Sequence, residues 1–424
     1  MKNQLNRHLF AHFILLLVLV FIMNASAQQL ENYIQQALKN NPGLEAAQQK
    51  VLAVEKRIPQ AGALPDPQLT VGLMNLPVNS FAFDQEPMTG KLISVMQMFP
   101  FPGKLGLETE MAKQDANSEK YKKEEVENQI ITLVKKTYYN IYAIDRAIET
   151  VETNRSLMQQ FVRVAESKYA TGSGLQQDVL RAQVELTRLE DDLIMWQQKR
   201  KAISAKLNAL LNQETDKIIP ITSRELSAVK SLPAKVNLTE TRPLLKAWTE
   251  MVGKTETSVK RARKNYWPNF SIGAGYSQRD NLKNNAVMHD FFSATVSLNI
   301  PLYFHRKQRA KVQEQELNLR SMQSQYQNVL NQVKADSAGI MAEVERNRKR
   351  IDLYKNGILL QARQSLESAL SGYQVDKVDF LTLINNWTML QNYELQYYRA
   401  LADYQISLAQ YDFVTGRKWT NETE

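Results

Sequence analysis

IITLVKKTYYNIYAIDRAIETV, residues 130–151, sets Ile130, Val134, Thr137, Ile141, Ile144, Ile148 and Val151 at alternating intervals of four and three. That spacing is the seam of a coiled coil, weakened only at Thr137. After the turn YATGSG, residues 169–174, the stretch 179–210 runs back in the same rhythm. Its seam positions are Val179, Ala182, Leu186, Leu189, Leu193, Trp196, Arg200, Ile203, Leu207 and Leu210, polar only at Arg200. The pattern predicts two long helices joined by a glycine-containing turn. Working outward, nothing breaks the first helix between Lys104 and about Lys168. At about 1.5 Å per residue it reaches nearly 100 Å, far beyond an ordinary globular helix.

Upstream, residues 29 to about 58 are helical in pattern, with Pro59 and then Leu64-Pro65-Asp66-Pro67 expected to stop the helix. Gln68 to Asn75 and Lys91 to Phe99 read as two strands, separated by a polar loop with Asp84, Glu86, Pro87 and Gly90. The same order recurs. A shift of 201 residues lays Pro42 on Pro243, Ala46 on Ala247, Pro67 on Pro268, Leu69 on Phe270, Val71 on Ile272 and Pro100 on Pro301. A shift of 204 lays Tyr169 on Tyr373, Leu180 on Ile384, Leu186 on Leu390 and Glu190 on Glu394. The chain is a tandem duplication. The expected divisions are a leader at 1–27, a first repeat at 28–212, a connector at 213–241, a second repeat at 242–416 and a tail at 417–424.

The leader combines Lys2 and Arg7 with an apolar run from Ile14 to Met23 and the small residues Ala25-Ser26-Ala27. This is the pattern of a secretory signal peptide, and the run is too short for a membrane-spanning helix. No later segment is apolar enough to cross as a helix. With no cysteine there is no disulfide, thiolate metal site or lipidated cysteine. The 53 basic and 44 acidic residues interleave along helices, as in Lys120-Tyr-Lys-Lys-Glu-Glu, so the net charge of +9 marks a solvated surface and not a nucleic-acid binding face.

In the last strand Phe292, Ala294, Val296, Leu298 and Ile300 alternate with Ser293, Thr295, Ser297 and Asn299. Phe270, Ile272, Ala274 and Tyr276 alternate likewise with Ser271, Gly273, Gly275 and Ser277. Period two over about ten residues suits a barrel strand between lipid and lumen, and equally a soluble sheet packed on helices. Four strands cannot close in lipid, because free edges leave backbone groups unsatisfied. Chains must therefore pool strands, two giving eight or three giving twelve.

The chain resembles the TolC family of outer-membrane efflux factors. The residues that carry the resemblance are the opening Leu30-Glu-Asn-Tyr-Ile-Gln-Gln-Ala-Leu-Lys-Asn-Asn-Pro42, Leu64-Pro-Asp-Pro67, Tyr169-Ala-Thr-Gly172 and Asp178-Val-Leu-Arg-Ala-Gln183, in a duplicated frame behind a leader. Asn75-Leu-Pro77, Met88-Thr-Gly90 and Gln97-Met-Phe-Pro100-Phe-Pro-Gly103-Lys104 look most like the CusC and CzcC heavy-metal branch. The resemblance implies a mainly α protein with a membrane β-barrel. It would be a homotrimer, with a twelve-stranded barrel in outer-membrane lipid continued by a twelve-helix tube across the periplasm. It implies passive conduction, with a periplasmic adaptor and an inner-membrane pump of the resistance-nodulation-division class as partners, and no enzymatic role or cofactor. A multidrug or type I secretion duct has the same fold; a periplasmic coiled-coil scaffold would explain the heptads but not the repeated strands.

By the same resemblance Tyr169, Gly172, Gly174, Asp178 and Tyr373 belong to the periplasmic tips that meet the adaptor. The positions where the family places pore-closing aspartates read Thr382 and Asn385 here, and Asp376 stands in place of a glycine. Asp376 and Asp379 are then candidates for substitute acidic rings in the pore, or simply caps of the last helix. Pro100 and Pro301 would set the strand-to-helix crossings. Trp267 suits either a membrane interface or packing. His289 and His305 have no ligand-spaced neighbours, and Met74, Met88, Met96 and Met98 crowd the first strand pair, where thioethers suit soft ions such as monovalent copper or silver but methionine on an apolar strand face is ordinarily packing.

Overall fold

The computed structural model describes residues 28–221, 226, 232–233, 236–284 and 286–417; the leader, much of the connector and residues 418–424 lie outside the described residues. Helix α1 spans 28–40. It is followed by α2 (Pro42–Glu55), α3 (Arg57–Gly62), β1 (Gln68–Met74), β2 (Gly90–Phe99), α4 (Lys104–Ala170) and α5 (Gln176–Leu210). The second series is α6 (Leu238–Thr241), α7 (Pro243–Arg263), β3 (Phe270–Gln278), β4 (Phe291–Leu298), α8 (Gln308–Leu353), α9 (Leu359–Gln374) and α10 (Phe380–Thr415). Pro42 and Pro243, related by the 201-residue shift, each open a helix at the same place in the two series.

Two local expectations need correction. The helix drawn from 29 to 58 is three helices. Asn41 interrupts the first by turning its side chain onto the amides of Gly43 and Leu44 at 2.9 and 3.4 Å, which caps α2 ahead of Pro42. Pro59 does not stop a helix; it sits in the first turn of α3, where an absent amide costs nothing. The second long helix is also interrupted, by a single π turn at Tyr354–Ile358 containing Gly357.

The strands form one antiparallel sheet in the order β1-β2-β3-β4, with β2 against β3 joining the two repeats. Register fixes the faces. Leu69 faces Val95, Val71 faces Ile93, Ile93 faces Tyr276, Ile272 faces Val296 and Tyr276 faces Phe292, so these side chains share one apolar surface. Most of them are exposed, with Val71 at 74 % and Phe292 at 76 %. The other face carries Thr70, Ser94, Ser271, Gly273, Gly275, Ser293, Thr295 and Ser297. Met74, Met96 and Met98 lie on this polar face, not on the apolar one where methionine packing was expected.

The described residues pack as two units, one drawn from 28–46, 124–243 and 331–417, the other from 47–123 and 244–330. In the first, Val151, Met158, Phe161 and Ala165 of α4, Ala182 and Leu189 of α5, Leu366 and Tyr373 of α9 and Phe380, Leu383, Trp387 and Leu390 of α10 make one core. Arg200, the polar break in the seam, holds Asp145 of α4 at 2.5 Å and donates to the Ile219 carbonyl at 3.0 Å. In α10 the same rhythm runs through Trp387, Leu390, Glu394, Tyr397 and Leu401, and its polar break, Glu394, binds Arg363 of α9 at 3.1 Å. Each seam charge thus has a counter-charge on the facing helix. Arg242, almost fully buried, binds Glu125 at 2.5 Å and lies 4.1 Å over the Phe413 ring, tying the end of α10 to the start of α7. There the chain leaves α10 through Gly416 at φ 67°, where a Cβ would lie 2.5 Å from the Thr241 carbonyl oxygen.

In the second unit the strand-to-helix crossing is organised by Lys104, which is buried. Its ammonium donates to the Trp267 carbonyl at 2.9 Å and to Asn269 Oδ1 at 2.8 Å, and the same oxygen accepts the Phe101 amide at 3.1 Å. Trp267 stacks on Phe101 with centroids 5.1 Å apart. The helical parts are linked by Lys254 to Asp115 at 2.6 Å and Ser118 to the Ala247 carbonyl at 3.1 Å.

Trp387 is completely buried at the centre of the α4, α5, α9 and α10 core. Trp387→Ala should cost about 3–5 kcal/mol. Denaturant unfolding followed by far-ultraviolet circular dichroism measures this, and a loss below about 1 kcal/mol would contradict the packing.

Candidate functional site

The two helix turns of the first unit, 171–175 and 375–379, hold Gly172, Gly174, Asp376 and Asp379, and the other residues singled out in the sequence lie on the helices that flank them. In the first turn the Lys168 carbonyl accepts the amides of Ser173 at 2.9 Å and Gly174 at 3.0 Å, and the Tyr169 carbonyl accepts that of Gly172. Closing the helix this way requires left-handed backbone, supplied by Gly172 at φ 74°. Gly174 is confined differently: a Cβ would lie 2.8 Å from that of Lys168. Tyr169 is half exposed.

The second turn repeats the geometry with different chemistry. The Gly372 carbonyl accepts the Lys377 amide at 2.9 Å, and the left-handed residue is Asp376 at φ 58°. Aspartate tolerates that conformation better than most side chains but not as well as glycine. Its carboxylate forms an ion pair with Lys168 of the first turn. The Lys168 ammonium also lies 5.0 Å from the Tyr373 ring centroid. Lys168 is a residue of this cluster that sequence alone does not reveal, since nothing local marks a contact across 208 residues.

Tyr373 is buried against Phe380, with ring centroids 5.3 Å apart. Burial, reinforced by the charges of Asp178 and Asp376, pushes its phenol up to about 12. Burial, followed by the charge of Asp379, likewise raises the Asp178 carboxyl. Asp379 caps α10: its carboxylate accepts the Thr382 amide at 2.7 Å, and the hydrogen bonds from Thr382 hold its carboxyl below the usual range. Thr382 and Asn385 are exposed on α10. The structure therefore brings Asp178, Tyr373, Asp376 and Lys168 together, leaves Tyr169, Thr382 and Asn385 facing outward, and gives Gly172 and Gly174 backbone roles. Among the described residues, no three or more His, Asp or Glu gather where they could hold a metal ion.

Two helical hairpins, a four-stranded sheet with one apolar and one polar face, and a duplicated chain define an outer-membrane channel type of fold. The family model described as "Outer membrane efflux protein" matches residues 33–213 and 236–417, and the chain belongs to that family. This sets it in the outer membrane, extending into the periplasm, in a family of efflux channels and not of enzymes. The outer-membrane channel OprN is similar in structure with a TM-score of 0.80 at 14 % identity, over 94 % of this chain and 92 % of that one. CusC also gives 0.80, at 18 % identity over 92 % of each chain. In sequence, the chain is 23 % identical over 176 residues to "Toxin and drug export protein A" of Aggregatibacter actinomycetemcomitans, 41 % of this chain and 38 % of that protein. The chain spans 38 % and 39 % of the length of the curated relatives it matches.

The raised phenol generates a pH dependence. A tyrosine at about 12 in the fold and about 10 unfolded contributes stability that is intact below pH 10 and is lost as pH rises toward 12. Tyr373→Phe should remove that part of the alkaline loss. The difference in thermal midpoint between the two proteins should therefore shift in favour of the variant between pH 10 and 12; a difference constant with pH would contradict the assignment.

Proposed function

We propose that three copies of this chain form a passive exit duct for a tripartite efflux system. The observation that carries the reading is the sheet: one face apolar, one polar, and β1 and β4 each paired on one side only. Three such sheets supply twelve strands and leave no edge in lipid. The two repeats, 28–212 and 242–416 about the connector 213–241, each give the assembly a strand pair and a helical hairpin, and the hairpins make a twelve-helix tube. An inner-membrane pump of the resistance-nodulation-division class would supply the energy and a periplasmic adaptor would join pump to duct.

In this reading Tyr169, Gly172, Gly174, Asp178 and Tyr373 form the adaptor-docking tips. Asp376, Asp379, Thr382 and Asn385 line the pore, with Asp376 and Asp379 repeated by three-fold symmetry as cation-attracting rings. Lys168 belongs to the same device, because its ion pair with Asp376 fastens one turn to the other within a protomer.

For cargo we favour heavy-metal cations. The motifs around Asn75-Leu-Pro77 and Gln97 to Lys104 support this, as do Met74, Met96 and Met98 on the polar sheet face, where thioethers suit soft ions. A second reading, export of drugs or protein toxins, is favoured by the name of the Aggregatibacter relative. Growth of a deletion strain on copper, silver, zinc, cobalt and a drug panel separates them: sensitivity to metals supports the first, and sensitivity to drugs alone rejects it.

Reconstituted in planar bilayers, Asp376→Ala combined with Asp379→Ala should lower cation selectivity and alter single-channel conductance. Asp379→Asn keeps an acceptor at the helix cap while removing its charge, so it should show part of the effect without the loss of helix stability. Unchanged conductance and selectivity would reject the pore role of both residues.

A further inference from the structure

Chain segments on either side of the β3–β4 hairpin carry a graded chemistry that neither the duct nor its tips uses. Approaching β3, the chain reads Lys260-Arg261-Ala-Arg263-Lys264-Asn-Tyr266-Trp267-Pro-Asn-Phe270; leaving β4, it reads Leu298-Asn-Ile300-Pro-Leu302-Tyr303-Phe304-His305-Arg306-Lys307-Gln-Arg309-Ala-Lys311. One runs from basic through aromatic to apolar, and the other retraces it. Pairing of Phe270 with Leu298, and the Asn269 and Asn299 hydrogen bonds at 2.7 and 3.2 Å, hold the two segments side by side, so the gradients are in phase. Tyr266 and Phe304 touch across the pair, with centroids 6.3 Å apart.

The levels are exposed in turn. Val296, Leu298 and Ile300 end the apolar sheet face, and beyond them Leu302 is 75 %, Tyr303 78 % and Trp267 57 % exposed. Then come the cations. Between residues 260 and 311 the only carboxylates are Asp280 and Asp290, both at the loop end of the hairpin. At the helix end Arg261 is matched by Glu108, Arg263 by Glu316 and Lys311 by Glu314. Lys264, Arg306, Lys307 and Arg309 have no carboxylate within 4.0 Å among the described residues. Lys264 instead lies 5.5 Å from the Phe101 ring centroid. An aromatic row at the edge of an apolar face marks headgroup depth, and unmatched cations just beyond it meet phosphates.

We propose that Lys264, Arg306, Lys307 and Arg309, with Trp267, Tyr303 and Phe304, form a binding site for anionic phospholipid headgroups of the periplasmic leaflet. This rests on the sheet being a membrane barrel whose helix-bearing end faces the periplasm. Each cation near an anionic surface contributes about five-fold in affinity, so removing three should weaken binding on the order of a hundredfold.

The full chain, purified in a neutral detergent, is titrated with phosphatidylglycerol or phosphatidylcholine in mixed micelles, with bound lipid counted by native mass spectrometry. Wild type should bind phosphatidylglycerol far more tightly, with salt weakening it. Arg306→Gln, Lys307→Gln and Arg309→Gln together should abolish the preference while the circular dichroism spectrum is unchanged. Equal binding of the two lipids, or a preference surviving in the triple variant, overturns the site. So does competition by free glycerol phosphate at equal concentration, which would make the ligand a soluble phosphate. Loss of the trimer mass in the variant alone would turn the cations toward a neighbouring protomer and also overturn it. Conductance of wild type in pure phosphatidylcholine tests the barrel separately, since it needs no anionic lipid.

Discussion

A backbone amide or carbonyl left unpaired in hydrocarbon costs several kcal/mol, and this constraint shapes the whole chain. The four strands pair internally through β1-β2-β3-β4, which leaves the outer side of β1 and of β4 open. Neither edge is blunted. Val71 and Leu73 on β1 and Phe292 and Val296 on β4 are exposed apolar residues, with no lysine or proline inside either strand to discourage pairing. Such edges are hazardous on a soluble sheet but appropriate in a sheet completed by copies of itself. The duplication serves the same end, since a repeat bearing two strands and one hairpin gives, after doubling, a protomer whose pieces match in number.

The long helices answer a different constraint. Their seams tolerate charge only where a partner waits, as Arg200 with Asp145 and Glu394 with Arg363 illustrate. A buried, unmatched charge would be far more costly than an apolar substitution there. These pairs hold register between facing helices, because a slip of one turn would leave both partners without a counter-charge. Apolar seam residues alone specify register less sharply.

How much of this was legible in the sequence depended on whether the signal was local. Helix α4 and the strand limits followed from period and punctuation, because those are properties of neighbouring residues. The Asn41 break was missed because its cause is a side chain folding back onto two amides. The phase of β2 was ambiguous in one dimension: Ile93, Val95 and Phe99 occupy one parity, Leu92, Met96 and Met98 the other, and both look apolar. Only pairing with β3, where Gly273 faces Met96 and Ser271 faces Met98, assigns the methionines to the polar side. At the two helix turns, Tyr373, Asp178 and Asp376 were visible as motif residues, while Lys168 became visible only through a contact spanning 208 positions.

The two turns show how a duplicated element diverges without losing its geometry. Both need one residue in left-handed backbone, at Gly172 and at Asp376. Aspartate at that position carries a conformational cost that glycine does not, of order 1 kcal/mol. The pair with Lys168 offsets part of that: Asp376 is largely exposed, and an exposed pair is worth only about 0–1 kcal/mol, but the Lys168 side chain is mostly buried and lies over the Tyr373 ring. What Asp376 adds is a carboxylate fixed at a helix turn and a link between hairpins that the backbone alone does not make. The strained backbone position of the second turn therefore carries a charge link to α4 that a glycine there could not make.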